Sequence, residues 1–175
     1  MSNLNHQSNQ NIGRWMTYLA WILFLGLLTL AFKKYLDQQN NPNQDIAIHY
    51  NSDQVAEVTL IQNRQGHYLA SGKINNQTVT FLLDTGATHI SIPAHIAQRL
   101  ELSKGFPAKS RTANGTITVY DTRLNSVSLG AITLNNIRAS INPHMPDDEI
   151  LLGMSFMKHL ELIQRDKQLI LRNPI

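Results

Sequence analysis

The stretch Phe81-Leu82-Leu83-Asp84-Thr85-Gly86-Ala87-Thr88-His89 decides the fold and the chemistry of this chain. The apolar residues 81–83 and the following run 90–92 both predict buried strands, so Asp84 begins a short loop between them. An ionised carboxylate is costly to bury without a partner, so an acid at this point needs an explanation. Two explanations are open. One is a plain turn, for which Asp, Thr and Gly are all suited; the other is a functional carboxylate.

A known family shares this pattern. Leu83-Asp84-Thr85-Gly86-Ala87 resembles the active-site motif of the retropepsin-like aspartic proteases, and Ile150-Leu151-Leu152-Gly153 resembles the second signature of that family. The order of the two motifs and their separation by about seventy residues also fit. The resemblance extends from about Gly66 to the C-terminus and is closest to the single-pass, membrane-anchored bacterial members. It implies an acid-protease-like barrel, an aspartic endopeptidase activity and Asp84 as the catalytic residue.

Size and composition exclude several classes of protein. The chain of 175 residues has the length of one folded domain and contains no cysteine, which excludes a disulfide framework, a thiolate zinc site and a cysteine nucleophile. The net charge is only +3 and no Lys/Arg stripe is present, so we expect no nucleic-acid partner. His89, His95 and His144 could suggest a metal site, but His89 and His95 have no accompanying acidic cluster and exposed or hydrogen-bonded histidines are the default; no glycine-rich phosphate loop is present. We therefore expect neither a metal ion nor a cofactor.

An apolar segment near the N-terminus predicts a membrane anchor. Residues 15–32, WMTYLAWILFLGLLTLAF, carry no charge, and as a helix they would be roughly 27 Å long, close to the ~30 Å hydrocarbon core of a bilayer. Trp15, Tyr18 and Trp21 cluster at one end, as in an interfacial aromatic belt. The alternative is a cleaved signal peptide with a poor cleavage site at 29–31, although the apolar part of such peptides is usually ~7–15 residues.

Charge counting does not determine the orientation of this anchor. Arg14 and the α-amino group precede the apolar run, and Lys33 and Lys34 follow it, so the positive-inside rule is nearly balanced. The resemblance to membrane-anchored relatives implies a short cytoplasmic N-terminus, a location in the inner (cytoplasmic) membrane and a periplasmic protease domain.

Composition divides the chain into four predicted parts. Residues 1–14, rich in Asn, Gln and Ser, are expected to be a disordered cytoplasmic tail. Residues 15–34 are the transmembrane helix, and residues 35–54 are a polar linker. Residues 55–175 are the retropepsin-like domain.

Many short β-rich runs separated by turn signals predict that the domain is all-β, a small closed barrel with one or two short helices. Asn114-Gly115 is a strong hairpin signal. The expected strands lie within 55–61, 66–74, 77–83, 90–92, 111–129 (two strands), 131–141, 150–152 and 168–171, and the helices within 94–100 and 154–160.

The copy number of the motif predicts an oligomeric state. Aspartic protease chemistry needs two carboxylates that share one proton, one to activate water and one to donate to the scissile carbonyl. This chain has one Asp-Thr-Gly, since Asp121-Thr122 is followed by Arg123. A monomer cannot build the pair from this motif, whereas a two-fold homodimer places Asp84 of each chain at the axis.

The neighbours of Asp84 have expected roles. Gly86 allows close backbone approach and can direct an N–H at the carboxylates, and Ala87 is small enough to leave the site open. The resemblance implies that Thr85 hydrogen-bonds the partner loop across the axis. Gly153 can let a strand pass close behind the loop, with the two preceding leucines, Leu151 and Leu152, packing against it.

A flap is expected at residues 112–117, with Ala113, Asn114 and Gly115 at its tip. The resemblance implies that this hairpin closes over the substrate and excludes water. The segment has one glycine where viral flaps are glycine-rich, and an ordinary exposed hairpin is the alternative.

Three functions remain open. The first is an endopeptidase that binds an extended polypeptide as an added strand. The second is a non-catalytic barrel of the same fold that binds a peptide or protein. The third is a protease limited to autoprocessing of its own linker near residues 37–54. The expected partners are a second copy of the chain, a polypeptide substrate and, through residues 15–32, a lipid bilayer.

Overall fold

The computed structural model describes residues 5–46, 48–50, 56–112 and 115–174, and the side chains of these residues except those of 5–13 and 48–50. The chain forms two compact units, Met1–Gln39 and Asn40–Ile175.

The first unit is a helix, α1, which continues to the start of the second unit and spans Asn5–Asn40. Its part Arg14–Asn40 is long and apolar enough to cross a membrane, with a mean hydropathy of 1.9 in its most apolar window. Its large apolar side chains, from Trp15 to Leu36, are exposed.

The helix extends beyond the predicted span of 15–34 on both sides, over part of the expected disordered tail and part of the expected linker. A helix that has already been nucleated propagates at little cost through Asn and Gln. It ends at Asn40 because Asn41 precedes Pro42, and the residue before a proline is disfavoured in the helical conformation.

The second unit begins earlier than the predicted residue 55, because residues 41–46 pack against it. Asn43 is 4% exposed, and its side-chain amide donates to the carbonyl oxygens of Leu69 (2.6 Å) and Ile61 (2.9 Å). Its Oδ1 accepts from the Ile61 N–H at 2.7 Å, and its carbonyl accepts from the Ser71 N–H at 3.0 Å. The polar side chain of Asn43 thus makes buried hydrogen bonds, and residues 41–46, which were expected to be part of a polar linker, contact the second unit.

The described part of the second unit contains eleven strands and two short helices, in the order expected for an all-β fold. They are β1 Ile48–Tyr50, β2 Ala56–Ile61, β3 Leu69–Ile74, β4 Gln77–Leu83, β5 Ile90–Pro93, α2 Ala94–Arg99, β6 Pro107–Thr112, β7 Gly115–Leu129, β8 Ile132–Asn142, β9 Glu149–Leu152, α3 Met154–Met157, β10 Glu161–Arg165 and β11 Gln168–Arg172. The sequence did not predict β1 or β10.

Six strands close into a barrel in the order β3-β4-β9-β5-β8-β7. The ring closes where Lys73 and Ile74 of β3 pair with Ser128 and Val127 of β7, and β6 adds to the outer edge of β7 as a hairpin. The largest fully buried side chains, among them Phe81, Phe156 and Ile150, fill the interior. The closed all-β barrel predicted from the sequence is confirmed.

A second, antiparallel sheet joins the two ends of the domain in the order β1-β2-β11-β10. Arg172 of β11 pairs in register with Glu57 of β2 and Glu161 of β10. Its guanidinium contacts the two carboxylates at 3.1 Å and 2.7 Å. The hydrogen bond from Arg172 holds the pKa of the Glu161 carboxyl below its ordinary value. These opposite charges on neighbouring strands hold the terminal strands in register.

Candidate active site

Asp84 stands at the carboxyl end of β4. Leu83 pairs in parallel with Leu152 of β9, and the Asp84 N–H continues this ladder by donating to the Leu152 carbonyl at 3.2 Å. On the other side of the strand, the Leu83 N–H donates to the Tyr68 carbonyl at 3.0 Å. The backbone of Asp84 is therefore held by a buried sheet, while its side chain is half-buried.

The loop after Asp84 is a tight turn organised by the carboxylate itself. The Gly86 N–H donates to Asp84 Oδ1 at 2.8 Å, and the Ala87 N–H donates to the Asp84 carbonyl at 3.2 Å. A hydrogen bond from the backbone two residues on is the usual way in which an Asp organises a turn. The turn predicted from Asp-Thr-Gly is present, and it fixes the orientation of the carboxyl group.

Gly153 lies directly behind this turn. A Cβ at position 153 would lie 2.6 Å from the Ala87 carbonyl oxygen and would also clash with the carbonyl oxygen of His89. Since Cβ atoms do not approach backbone oxygens this closely, only glycine fits without a shift of the loop. Gly153 therefore approaches the backbone of the loop closely.

The residues after Gly153 hold the far side of the loop. The Met154 N–H donates to the Ala87 carbonyl at 2.8 Å, and the Ser155 N–H donates to the Thr88 carbonyl at 2.9 Å. The buried Ser155 hydroxyl accepts from the Ile90 N–H at 3.0 Å. Residues 154 and 155 at the start of α3 thus hydrogen-bond two residues of the loop, Ala87 and Thr88, and the first residue of β5, Ile90. The sequence alone did not predict this role of Ser155, for which its place two residues after Gly153 was the available signal.

Strand β9 brings the two sequence motifs together. It runs parallel to β4, which ends in the loop, and antiparallel to β5, which follows the loop, through the pair Ser91–Leu151. Leu152 is fully buried and Leu151 is half-buried between these strands. The strand before the loop and the strand after it are therefore held by one central strand, which makes the turn rigid.

The top of the loop faces outward. Thr85 and Gly86 are exposed, as is Thr88. The contact expected of Thr85 lies in a partner chain and stays a prediction.

A hairpin is present where the flap was expected. Strands β6 and β7 pair from Pro107–Tyr120 to Thr112–Gly115, and the Thr112 hydroxyl donates to the Gly115 carbonyl at 2.9 Å. Gly115 has a φ of +115°, which favours glycine. Ala113 and Asn114 lie outside the described residues, and the role of the hairpin as a flap stays a prediction.

The histidines do not converge. His95 Nε2 lies 2.8 Å from Asp148 Oδ1 in an exposed pair, and His89 Nδ1 is buried with no hydrogen-bond partner among the described residues. Within the described ranges, no group of three or more His, Asp or Glu side chains could hold a metal ion.

Sequence comparison identifies a family and two relatives. The family model described as gag-polyprotein aspartyl protease matches residues 70–159, about half of the chain, and includes both motifs. An uncharacterized protein encoded in the cobV 5′ region of Sinorhizobium sp. is 28% identical over 95% of this chain and 77% of its own length. The uncharacterized protein RP867 of Rickettsia prowazekii (strain Madrid E) is 31% identical over 70% of this chain. The chain spans only 53% of that relative.

Comparison with solved structures gives two matches. The crystal structure of a retropepsin-like aspartic protease from Rickettsia conorii superposes with a TM-score of 0.60 at 28% identity, covering 74% of this chain and 96% of that protein. EIAV protease complexed with the inhibitor HBY-793 has a TM-score of 0.45 at 18% identity, covering 55% of this chain and 89% of that one. The match of the family model and the closed barrel carrying both motifs show that the chain belongs to the retropepsin-like aspartic proteases.

Proposed function

We propose that this chain is an aspartic endopeptidase that acts as a homodimer, with Asp84 of each copy facing the other across a two-fold axis. The observation that carries the proposal is the Asp84 turn. A carboxylate is held at the end of a buried strand by the Gly86 N–H at 2.8 Å, in a loop that Gly153 contacts from behind. Such rigid placement of a titratable group is what catalysis by proton transfer needs.

The reaction uses the two carboxyl groups in opposite protonation states. The ionised Asp84 takes a proton from a water molecule while the water oxygen attacks the scissile carbonyl carbon. The protonated Asp84 of the partner copy donates its proton to the carbonyl oxygen, which gives a neutral tetrahedral diol. The first Asp84 then returns its proton to the departing nitrogen, the C–N bond breaks, and the second Asp84 recovers its proton from a diol hydroxyl. Both carboxyl groups end in their starting states.

Two features support the dimer. One chain supplies one Asp-Thr-Gly, so the second carboxylate of the pair has to come from another copy. The tip of the loop, Thr85 and Gly86, is exposed, so no described part of the chain covers the surface that a second copy would contact. The hairpin β6–β7 serves as the flap in this proposal, and an extended peptide lies between it and the loop.

The proposal places α1 across the inner membrane, with the N-terminus in the cytoplasm and the protease domain in the periplasm. The support is the uncharged segment 15–32, whose large apolar side chains are exposed on all sides of the helix. A reporter fused to the C-terminus that is active only in the cytoplasm would contradict this orientation.

The test is peptidase activity of the full chain in detergent micelles, assayed on a mixed peptide library by mass spectrometry. Asp84→Asn is compared with Asp166→Asn, an exposed acid in the turn between β10 and β11. We expect activity in the wild type and the control, none in Asp84→Asn, and specific activity that rises with protein concentration as dimers form.

Two results would contradict the proposal. Equal activity of Asp84→Asn and the wild type would show that Asp84 takes no part in the reaction. Full activity of a particle with the mass of a monomer would show that dimerisation is not required. A chain that binds peptides equally well with and without the Asp84 carboxylate and cleaves none would instead be a binding module.

A further inference from the structure

Strand β10 forms one edge of the sheet β1-β2-β11-β10, and its outer side has no strand beside it in the described part of the chain. Its five residues, Glu161–Arg165, pair with β11 in an unbroken register without a bulge. Within the described ranges, no backbone group of these residues forms a hydrogen bond with a segment other than β11. Such an open edge is a template for pairing with another strand.

The register of the hairpin β10–β11 determines which backbone groups of β10 face outward. The turn Asp166-Lys167 has φ angles of +51° and +62°, and a two-residue turn of this kind is closed by a hydrogen bond between its flanking residues, Arg165 and Gln168. Hydrogen-bonded and non-hydrogen-bonded pairs alternate along an antiparallel ladder. The N–H and C=O groups of Leu162 and Gln164 therefore point away from β11.

The side chains of β10 alternate between the core and the surface. Leu162 packs against the core and is paired with the fully buried Leu171. Glu161, Ile163 and Arg165 project to the opposite face and are half-buried or exposed. An acid, an apolar residue and a base thus follow one another at equal spacing. If two such strands lie antiparallel and centred on Ile163, Glu161 of each copy lies opposite the partner's Arg165.

Both charged residues are available for this contact. Arg165 Nε lies 3.5 Å from the Asp166 carboxylate, and since the two side chains are 82% and 87% exposed, this ion pair is weak. Glu161 Oε2 accepts a hydrogen bond from Arg172 at 2.7 Å, whereas Glu161 Oε1 has no hydrogen bond or ion pair within the described ranges. One carboxylate oxygen and the terminal guanidinium nitrogens therefore remain available on each copy.

We propose that β10 pairs with β10 of a second copy of this chain, antiparallel and centred on Ile163, so that two four-stranded sheets become one. In this register Leu162 and the partner's Gln164 form a hydrogen-bonded pair, which uses the outward backbone groups of both residues. The two Ile163 side chains meet at the axis and extend the apolar contact between Ile163 and Ile170. The contact does not involve the loop of Asp84, and it does not depend on the proposed peptidase activity.

The surface next to the start of β10 leaves space for the turn of the partner. Continuing the same register beyond Glu161 places the partner's Asp166 opposite Leu160 and the partner's Lys167 opposite His159. These residues of the first copy line an open cleft of about 720 Å³, whose lining consists of Lys158, His159, Leu160, Glu161 and Pro174. The surface at this end of the strand is therefore recessed.

Protection against association is the rival explanation for charged residues on an edge strand. Strand β6, at the edge of the other sheet, has the features of a protected edge. It begins with Pro107, and its two charges, Lys109 and Arg111, have the same sign and repel those of a second copy. Strand β10 has no proline or lysine, and its two charges have opposite signs. A second copy in antiparallel register is therefore attracted, which makes it the favoured partner.

The test is disulfide cross-linking of the full chain in detergent micelles, which the absence of cysteine makes specific. In the paired strands the two Cα atoms of residue 163 lie ~4.5 Å apart, within the range of a disulfide. Ile163→Cys should therefore form a covalent dimer on mild oxidation. Ile170→Cys, at the half-buried neighbouring position on the same face of β11, is the matched control. Its two copies would lie roughly 14 Å apart, so it should stay monomeric.

Two further substitutions, each combined with Ile163→Cys, test the contacts. Gln164→Pro removes an N–H that has no partner in a single copy but is needed for pairing, so the chain should still fold and should no longer cross-link. Arg165→Glu places like charges opposite each other and should slow cross-linking about tenfold. The same substitution at an exposed arginine on α2, Arg99→Glu, should leave the rate unchanged.

Three results would overturn the proposal. An Ile163→Cys chain that stays monomeric on oxidation shows that the edges do not meet. Equal cross-linking of Ile170→Cys and Ile163→Cys shows random collision in the micelle, and cross-linking that Arg165→Glu does not slow shows a different register. Because Asp84→Asn should cross-link through position 163 as the wild-type loop does, a failure of this proposal and a failure of the proposed peptidase activity are distinguishable.

Discussion

The backbone of Gly153 packs against Ala87 so tightly that a Cβ at position 153 would lie 2.6 Å from the Ala87 carbonyl oxygen. This contact joins the two sequence motifs, which are about seventy residues apart in the chain. The contact also holds the loop that carries Asp84 in place relative to the end of β9. The next residue, Met154, adds to this by donating its N–H to the same Ala87 oxygen at 2.8 Å.

The first prediction follows from that contact. Gly153→Ala should displace the 87–89 segment, lower the free energy of unfolding by about 1–3 kcal/mol as overpacking does, and reduce peptidase activity by more than the lost stability explains. Thermal denaturation and peptide cleavage measure the two effects. Gly26→Ala, where an added Cβ meets nothing within 4 Å, is the control and should change neither. A Gly153→Ala protein with wild-type stability would show that the loop adapts at no cost.

The second prediction concerns the pair of Asp84 carboxylates. Asp84→Asn should fold normally and lose peptidase activity by roughly a hundredfold to ten-thousandfold or more, since it removes the general base and the general acid together. Mixing it with an equal amount of wild-type chain should leave about a quarter of the dimers with two wild-type loops. The activity of the mixture should therefore be below one half of that of the same total amount of wild-type chain. An activity of one half, with no further loss after exchange, would indicate that the chains act independently.

The local features that place Asp84 were predictable because they depend on neighbours in sequence. The apolar run before Asp84 and the run after it form β4 and β5, as predicted, and Asn75-Asn76 forms a tight turn with φ angles of +48° and +68°. Asparagine adopts this left-handed conformation more readily than most residues, so the signal was local.

The features that were missed depend on tertiary contacts. Residues 41–46 were assigned to a linker because they are rich in polar side chains. In the structure, however, the Asn43 side-chain amide donates hydrogen bonds to the backbone carbonyls of Ile61 in β2 and Leu69 in β3. Strand β10 was missed because the turn that follows it, Asp166-Lys167, has φ angles of +51° and +62° without a glycine or asparagine. Only pairing with β11 makes that turn favourable.

The third prediction concerns Ser155. Ser155→Ala removes the acceptor of the buried Ile90 N–H, and an unpaired buried donor destabilises a protein by about 1–3 kcal/mol. Chemical denaturation should show this loss, and activity should fall as well because Ile90 follows the active-site loop directly. Ser103→Ala, at an exposed position, should be neutral. An unchanged Ser155→Ala protein would mean that the Ile90 N–H finds another acceptor.

The fourth prediction is a pH dependence of stability. Arg172 lowers the pKa of Glu161 in the folded state, so the ionised carboxylate contributes stability at pH values above its ordinary pKa of 4.5. That contribution disappears as the pH falls through the lowered pKa. Melting temperatures of the wild type and Glu161→Gln should therefore differ at neutral pH and converge in acid. The exposed Glu101→Gln is the control, and parallel Glu161→Gln and wild-type curves would rule out a contribution from this pair.

The fifth prediction tests whether residues 41–46 belong to the folded domain. Asn43→Asp keeps an acceptor for the Ile61 N–H, but it replaces an amide donor with a carboxylate oxygen that faces the carbonyls of Leu69 and Ile61. Because the site is buried, the unpaired and repelling oxygens should destabilise the domain by about 3 kcal/mol or more, and stability should partly recover at low pH as the carboxyl protonates. Gln44→Glu changes the neighbouring exposed amide in the same way and should be neutral. If the two variants have the same melting temperature, the contacts of residues 41–46 add no stability, and the folded domain begins after residue 46.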